Sequence, residues 1–157
     1  MSDKTLDEVL EMLEAERVAM LTTHDGDLLV SRPMGLQQVD DADHSLWFFV
    51  EVGSDKALQV AEDAQVNLAF AGDNYLSVSG TARLVRDQAR IEELWNPFAK
   101  SMLNCESTDP KVGLLRVDPS TIAYWDTPSS PRFLMGVAKS LLGGDRPKGG
   151  DSGVVQA

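Results

Sequence analysis

Residues 28–39 read LLVSRPMGLQQV, and within them Ser31-Arg32-Pro33-Met34-Gly35 interrupts an otherwise regular strand pattern. On a pleated strand Arg32 and Met34 point to one face and Ser31 and Pro33 to the other. Pro33 has no N–H, so this segment cannot be paired throughout on both sides and belongs at an edge, a bulge or a rim. Taken alone, the stretch supports two readings. One is an edge strand with a solvated arginine; the other is a strand end shaped to present a cation and an apolar flank to a ligand.

The neighbouring segments set its place. Upstream, RVAMLTT (17–23) is a strand, joined to 28–39 through His24-Asp25-Gly26-Asp27, whose Asp-Gly pair is a hairpin signal. Downstream, the polar turn 40–44 leads into SLWFFVEV (45–52). Links this short permit antiparallel neighbours and exclude parallel crossovers. VNLAFAG (66–72), YLSVSGTARLVRD (75–87) and VGLLRVDPSTIAYWD (112–126) extend the series, with Gly80 a bulge or close-approach point and the last segment either one strand or two around an Asp118-Pro119 turn.

Helical periodicity appears between and outside the strands. Thr5-Leu6-Asp7-Glu8 forms a capping box ahead of Leu6, Val9, Leu10 and Leu13, which predicts a helix over 5–16. SDKALQVAED predicts a short helix capped by Ser54 or Asp55, and 88–103 a helix that Pro97 ends or kinks. FLMGVAKSLL (133–142) is a last helical pattern. The expected fold class is α+β: about six strands in a small antiparallel barrel with flanking helices, one domain over 1–143, followed by a mobile tail over 144–157.

Composition narrows the function. A chain of 157 residues suits one compact domain. Fourteen basic and 25 acidic side chains give a net charge of −11, the wrong sign for general attraction to nucleic acid or to anionic lipid. No apolar run reaches the roughly 18 residues of a membrane span, and the acidic start lacks the features of a signal peptide, so a cytoplasmic location is expected. Cys105 is the single cysteine, in keeping with a reducing compartment, and it has no evident base nearby. His24 and His44 lack metal-ligand spacing, and no dinucleotide or Walker motif is present.

Against so acidic a background, a phosphorylated ligand needs a local concentration of cations. Ser54-Asp55-Lys56 at a strand-to-helix junction offers free N–H groups, a hydroxyl and a charge. By itself it equally describes a capped surface helix with a solvated lysine. The short link between the two strands puts it beside the strand bearing Arg32, so that Arg32 and Lys56 can meet one anion. Trp47 and Phe49 share a face and read as core. Trp125, flanked by Tyr124 and by charge, is placed to line a pocket.

The ordered set RVAMLTT, DG, SRPM, LWFFV, GSDK, VNLAF, SVSGTARLV, IEELWNP, DP, LLRV and AYWD resembles the general stress protein 26-like branch of the pyridoxamine 5′-phosphate oxidase-related, FMN-binding split-barrel family, from about residue 5 to residue 143. The resemblance implies a six-stranded antiparallel split β-barrel, FMN as cofactor, and a homodimer with the flavin site at the subunit interface. It implies Arg32 and Lys56 as phosphate cations, Ser54 as a phosphate hydroxyl, and Pro33 and Met34 beside the ring. Phe49 and Val50 would lie at the inner end of the pocket and Gln37 at the far end of the SRPM strand. Two stretches depart from the family pattern: Val50 stands where threonine is common, and KSMLNCESTDP replaces an aromatic-rich stretch before the Asp-Pro. The implied activity is flavin-dependent electron transfer with a small molecule. The alternatives are a stress protein that binds or buffers flavin without turnover, and a split barrel holding a deazaflavin or haem.

Overall fold

The computed structural model describes residues 4–126, 143 and 152–157. The predicted helix over 133–142 lies outside them. Helix α1 (Leu6–Ala15) begins at the capping box: the Thr5 side chain accepts from the Glu8 amide, and the Glu8 carboxylate accepts from the Thr5 amide at 2.7 Å. Val9, Leu10 and Leu13 form its buried face. Strands β1 (Val18–Asp25) and β2 (Leu28–Val39) follow, joined by a two-residue turn in which Gly26 takes φ of 58°. That left-handed conformation favours glycine. The remaining elements are β3 (Leu46–Glu51), α2 (Asp55–Glu62), β4 (Gln65–Ala71), β5 (Tyr75–Val85), α3 (Gln88–Leu94), α4 (Pro97–Leu103), β6 (Val112–Trp125) and β7 (Ser152–Gln156).

All neighbours are antiparallel, in the order β3-β2-β1-β4-β5-β6-β7, and a further pairing of β3 with β6 closes six of the strands into a barrel. The α+β split barrel read from the sequence is the fold observed. β6 serves two neighbours on one side. Residues 112–117 pair with β3 and residues 121–125 with β7, and Pro119, which lacks an N–H to give, sits where the partner changes. Opposite it the β5 register shifts between Ser79 and Gly80. A Cβ on Gly80 would collide with the main-chain oxygen of Asp118, so glycine is required at this crossing.

Two apolar clusters result. The main one fills the barrel and includes Leu21, Met34, Phe48, Val50, Leu68 and Tyr124 together with the inner face of α1. The second lies outside β3 and β6, where α3 and α4 cover Trp47, Phe49, Val112 and Leu114. β3 is therefore buried on both faces, which is why LWFFV does not alternate with polar residues. Pro97 divides the predicted 88–103 helix in two, and Asn96 caps the second half by accepting from the Ala99 amide at 2.9 Å. Two other differences from the sequence reading concern β6 and the C-terminus. Asp118-Pro119 makes no turn, because β6 runs through it as one strand from Val112 to Trp125, paired with β5 on either side of the shift. Part of the expected mobile tail is strand β7, bonded to the half of β6 that β3 leaves uncovered. Among the described residues no helix is long and apolar enough to cross a membrane.

Candidate functional site

Helix α2 starts two residues after β3 has turned, and it starts uncapped. The Ser54 hydroxyl donates to the Glu51 carbonyl at 2.7 Å instead of accepting from the first-turn amides. The starts of α1, α3 and α4 are each covered by a side chain, from Thr5, Asp87 and Asn96 respectively. The α2 amides therefore keep their capacity to donate, at the positive end of the helix dipole. Lys56, half-buried in the first turn, has no hydrogen bond or ion pair to any described residue.

Arg32 reaches this helix from β2. Its Nη1 donates to the Leu21 carbonyl at 3.2 Å and to Thr23 Oγ1 at 2.8 Å, while Nη2 donates to Gln59 Oε1 at 2.8 Å. Thr23 Oγ1 donates in turn to Gln59 Oε1 at 2.7 Å. Every acceptor is neutral. Burial presses the Arg32 pKa below the ordinary arginine value, opposed by the fields of Asp25 and Asp55, but a guanidinium stays protonated in any case. Gln59 lies three residues beyond Lys56, so the two are neighbours on the helix surface, with Cβ atoms roughly 5–6 Å apart. Arg32 is thus held against the helix beside the residue that Lys56 neighbours.

The other expected residues are spread along β2, β3 and β6. Pro33 is exposed on the outer barrel face, paired with Met20. Met34, Phe49 and Val50 are 5%, 2% and 1% exposed. Met34 and Val50 point into the barrel; Phe49 points the opposite way and meets Trp95 edge-to-face at 5.3 Å between centroids. Their side chains pack against protein, so only their main chains are placed to meet a ligand. Gln37 lies at the far end of β2, and Asn96 Nδ2 donates to its Oε1 at 2.6 Å. Beside it a groove of about 310 Å³ runs between Val18, Gly35, Gln37, Asn96 and the exposed ring of Phe98. Phe98 sits directly over Gly35, where an added Cβ would approach the ring to 3.0 Å. At a strand rise of about 3.3 Å per residue, Gln37 is roughly 16 Å from Arg32. Trp125, half-exposed, is on the outer face at the C-terminal end of β6, beyond the stretch of β6 that pairs with β3.

Sequence reasoning missed Thr23, Gln59 and Asn96. Thr23 was visible as a polar residue at an inward strand position two after Leu21, and Gln59 as the helix-face neighbour of Lys56. Asn96 was visible only as a helix cap.

The family model described as pyridoxamine 5′-phosphate oxidase like matches residues 4–148. The chain belongs to this family. Among solved structures, a candidate general stress protein 26 from Jannaschia sp. CCS1 superposes with a TM-score of 0.77 at 25% identity, over 96% of this chain and 97% of that one. The general stress FMN/FAD binding protein of Xanthomonas citri gives a TM-score of 0.69 at 28% identity, over 79% and 89%. Among curated proteins, protein bli-3 of Neurospora crassa is 27% identical over 135 residues, which are 78% of this chain and 65% of bli-3. The chain thus spans somewhat less than two thirds of that relative.

Proposed function

We propose that this chain binds FMN, at a site shared between two copies of itself, and that the bound flavin exchanges electrons with a small molecule. The observation that supports this best is the start of α2, where uncapped amides, a Ser54 hydroxyl that can turn from the Glu51 carbonyl to an anion, and a Lys56 without a partner among the described residues adjoin an arginine that those residues meet only with neutral acceptors. Such a set fits a terminal phosphate dianion. In a chain of net charge −11 it is a local reversal of sign. The groove at Gly35, Gln37 and Phe98 lies along the same strand at a distance suited to a ring joined to that phosphate by an extended chain. Membership of the family and the flavin-binding name of the Xanthomonas citri protein support the choice of ligand.

FMN, when bound, supplies the redox chemistry. The chain contributes the anchor at Arg32, Ser54 and Lys56, the strand edge at Pro33 and Met34, and the polar end at Gln37 and Asn96. A guanidinium cannot serve as a general base, so the part of Arg32 is orientation and electrostatics. The stress association rests on the names of its relatives alone.

The outer barrel face supports the second copy. Pro33, Met20, Ala69, Ser77, Ala123 and Val154 follow one another across six strands in register. Met20 at 43% exposure and Val154 at 57% leave that row open to solvent in one subunit. In a dimer closed through this face, Trp125 of the second copy is available to the β2 site. Such an interface buries on the order of 2,000 Å² or more.

Calorimetric titration of the apoprotein with FMN and riboflavin, with light scattering on the same sample, tests the reading. FMN should bind more tightly than riboflavin, to a dimer, and NAD(P)H should bleach the bound flavin. Equal affinities would remove the phosphate anchor, and a monomer at micromolar concentration would remove the shared site. A bound flavin that NAD(P)H leaves oxidised would favour flavin buffering over turnover.

A further inference from the structure

The hydrogen bonds around Arg32 fix more than its position. A guanidinium has five N–H donors in a plane, and arginine cannot accept. Thr23 Oγ1 must therefore accept from Arg32, and its own proton goes to Gln59. That proton determines which end of the Gln59 amide faces inward: Oε1, which accepts from both Thr23 Oγ1 and Arg32 Nη2. Thr23 Oγ1 and Gln59 Oε1, 2.7 Å apart, span the end of the guanidinium between Nη1 and Nη2. The Leu21 carbonyl takes the second Nη1 hydrogen. Two donors are left, Nε–H and the other Nη2–H. They lie on the same side edge of the plane, and no described residue accepts from either.

We propose that Thr23 and Gln59 are positioning residues that lock the end edge of Arg32 and turn its side edge toward two phosphate oxygens, so that this pair sets the preference for phosphorylated over unphosphorylated flavin. The inference rests on the phosphate site proposed above and deepens it. Bidentate contact with an oxyanion needs the arginine plane held in one orientation. A carboxylate in place of Gln59 would hold that plane as firmly, but its charge would oppose the ligand's. A hydroxyl, an amide and a carbonyl fix the geometry and leave the positive charge uncancelled. Thr23 is 1% exposed, one of two buried polar residues among those described, and its hydroxyl has both of these bonds to account for its burial.

The test is calorimetric titration of FMN and riboflavin into wild type, Thr23→Val, Thr23→Ser, Gln59→Met, Gln59→Glu and Lys56→Met. Thr23→Val and Gln59→Met should each weaken FMN binding roughly tenfold, the scale of a hydrogen bond to a charged group, with riboflavin unchanged. Thr23→Ser should restore FMN affinity to within about twofold of wild type, since it keeps the hydroxyl. Gln59→Glu keeps the acceptor and adds a negative charge, so it should bind FMN worse than wild type while melting no lower. If Thr23→Val does not fold, Gln59→Met decides, since residue 59 is half-exposed on a helix. Loss of FMN affinity in Lys56→Met with none in Thr23→Val or Gln59→Met overturns the positioning role and spares the phosphate site. Equal loss for FMN and riboflavin overturns it as well. No FMN preference in wild type removes the phosphate site and this inference together.

Discussion

At the β2–β3 end of the barrel, Arg90 and Arg116 both lie over the Trp47 ring, with their guanidinium carbons 4.6 and 5.6 Å from its centroid. Each is matched to carboxylates: Arg90 to Asp40 at 3.3 Å and Glu93 at 3.1 Å, Arg116 to Asp43 and Asp118 at 2.9 Å each. At the α2 end, Arg32 has only neutral acceptors among the described residues and Lys56 has none among them. The electrostatic consequences are opposite. The hydrogen bond that Arg116 donates to Asp118 leads in raising the Arg116 pKa, whereas burial leads in lowering that of Arg32. A cation paired with carboxylates spends its field inside the protein and holds two elements together. A cation oriented by neutral groups keeps its field for a ligand, and its burial goes partly uncompensated until one arrives.

The largest effect is expected at Trp47. Trp47→Ala removes a 6%-exposed ring from the second cluster and should lower unfolding stability by about 3–5 kcal/mol, with little effect on the FMN-to-riboflavin affinity ratio of the folded protein. Denaturant titration checks the first part. A changed ratio would show that the two ends are not separate.

Lys56→Met asks the converse question. A hydrogen bond to a charged group contributes about 1.5–3 kcal/mol, so FMN should bind tenfold to a hundredfold more weakly, while stability stays within about 0.5 kcal/mol. A solvated surface lysine would leave the FMN affinity unaltered.

Val50→Thr sharpens the boundary between core and site. The family resemblance makes a hydroxyl at 50 a cofactor contact, which would tighten binding. In the structure the Val50 side chain is in the barrel core, so a hydroxyl there should cost about 1–3 kcal/mol of stability and leave flavin affinity where it was. Thermal melts with and without FMN separate the two outcomes.

The smallest effect is expected at Asp43. Its carboxyl is held below the ordinary aspartate value, first by hydrogen bonds from Ser45 and then by Arg116. A depressed folded pKa gives stability that is present above about pH 4 and lost as pH falls through the lower folded value. Asp43 is partly exposed, so Asp43→Asn should cost at most about 1 kcal/mol near neutrality. The gap from wild type should close under acid. A gap that stays constant down the acid limb would mean that Asp43 titrates normally.

Much of the barrel is decided by local chemistry that a sequence displays. The Thr5–Glu8 box, the Asp25-Gly26 turn, Pro97 and the two-faced apolar run of β3 each act within a few residues, and each produces the element it suggests. The start of α2 is legible for the same reason, since Ser54, Asp55 and Lys56 are consecutive. Period-two alternation also states that Arg32 and Met34 share a face, but it does not state which face closes on itself. Only the β3–β6 pairing turns that face inward, burying Met34 and carrying Arg32 under α2. β7 shows the same limit. SGVVQ alternates too weakly to stand alone, and becomes a strand because β6 offers it an edge that β3 leaves uncovered. Thr23 and Gln59 are 36 residues apart and meet only across the closed barrel wall. The sequence by itself determined strands β1 to β6, the turn between β1 and β2, and the candidate anchor. The tertiary structure decided which donors of that anchor are already engaged, because a hydrogen bond between distant residues depends on how the chain closes and not on how it is spelled.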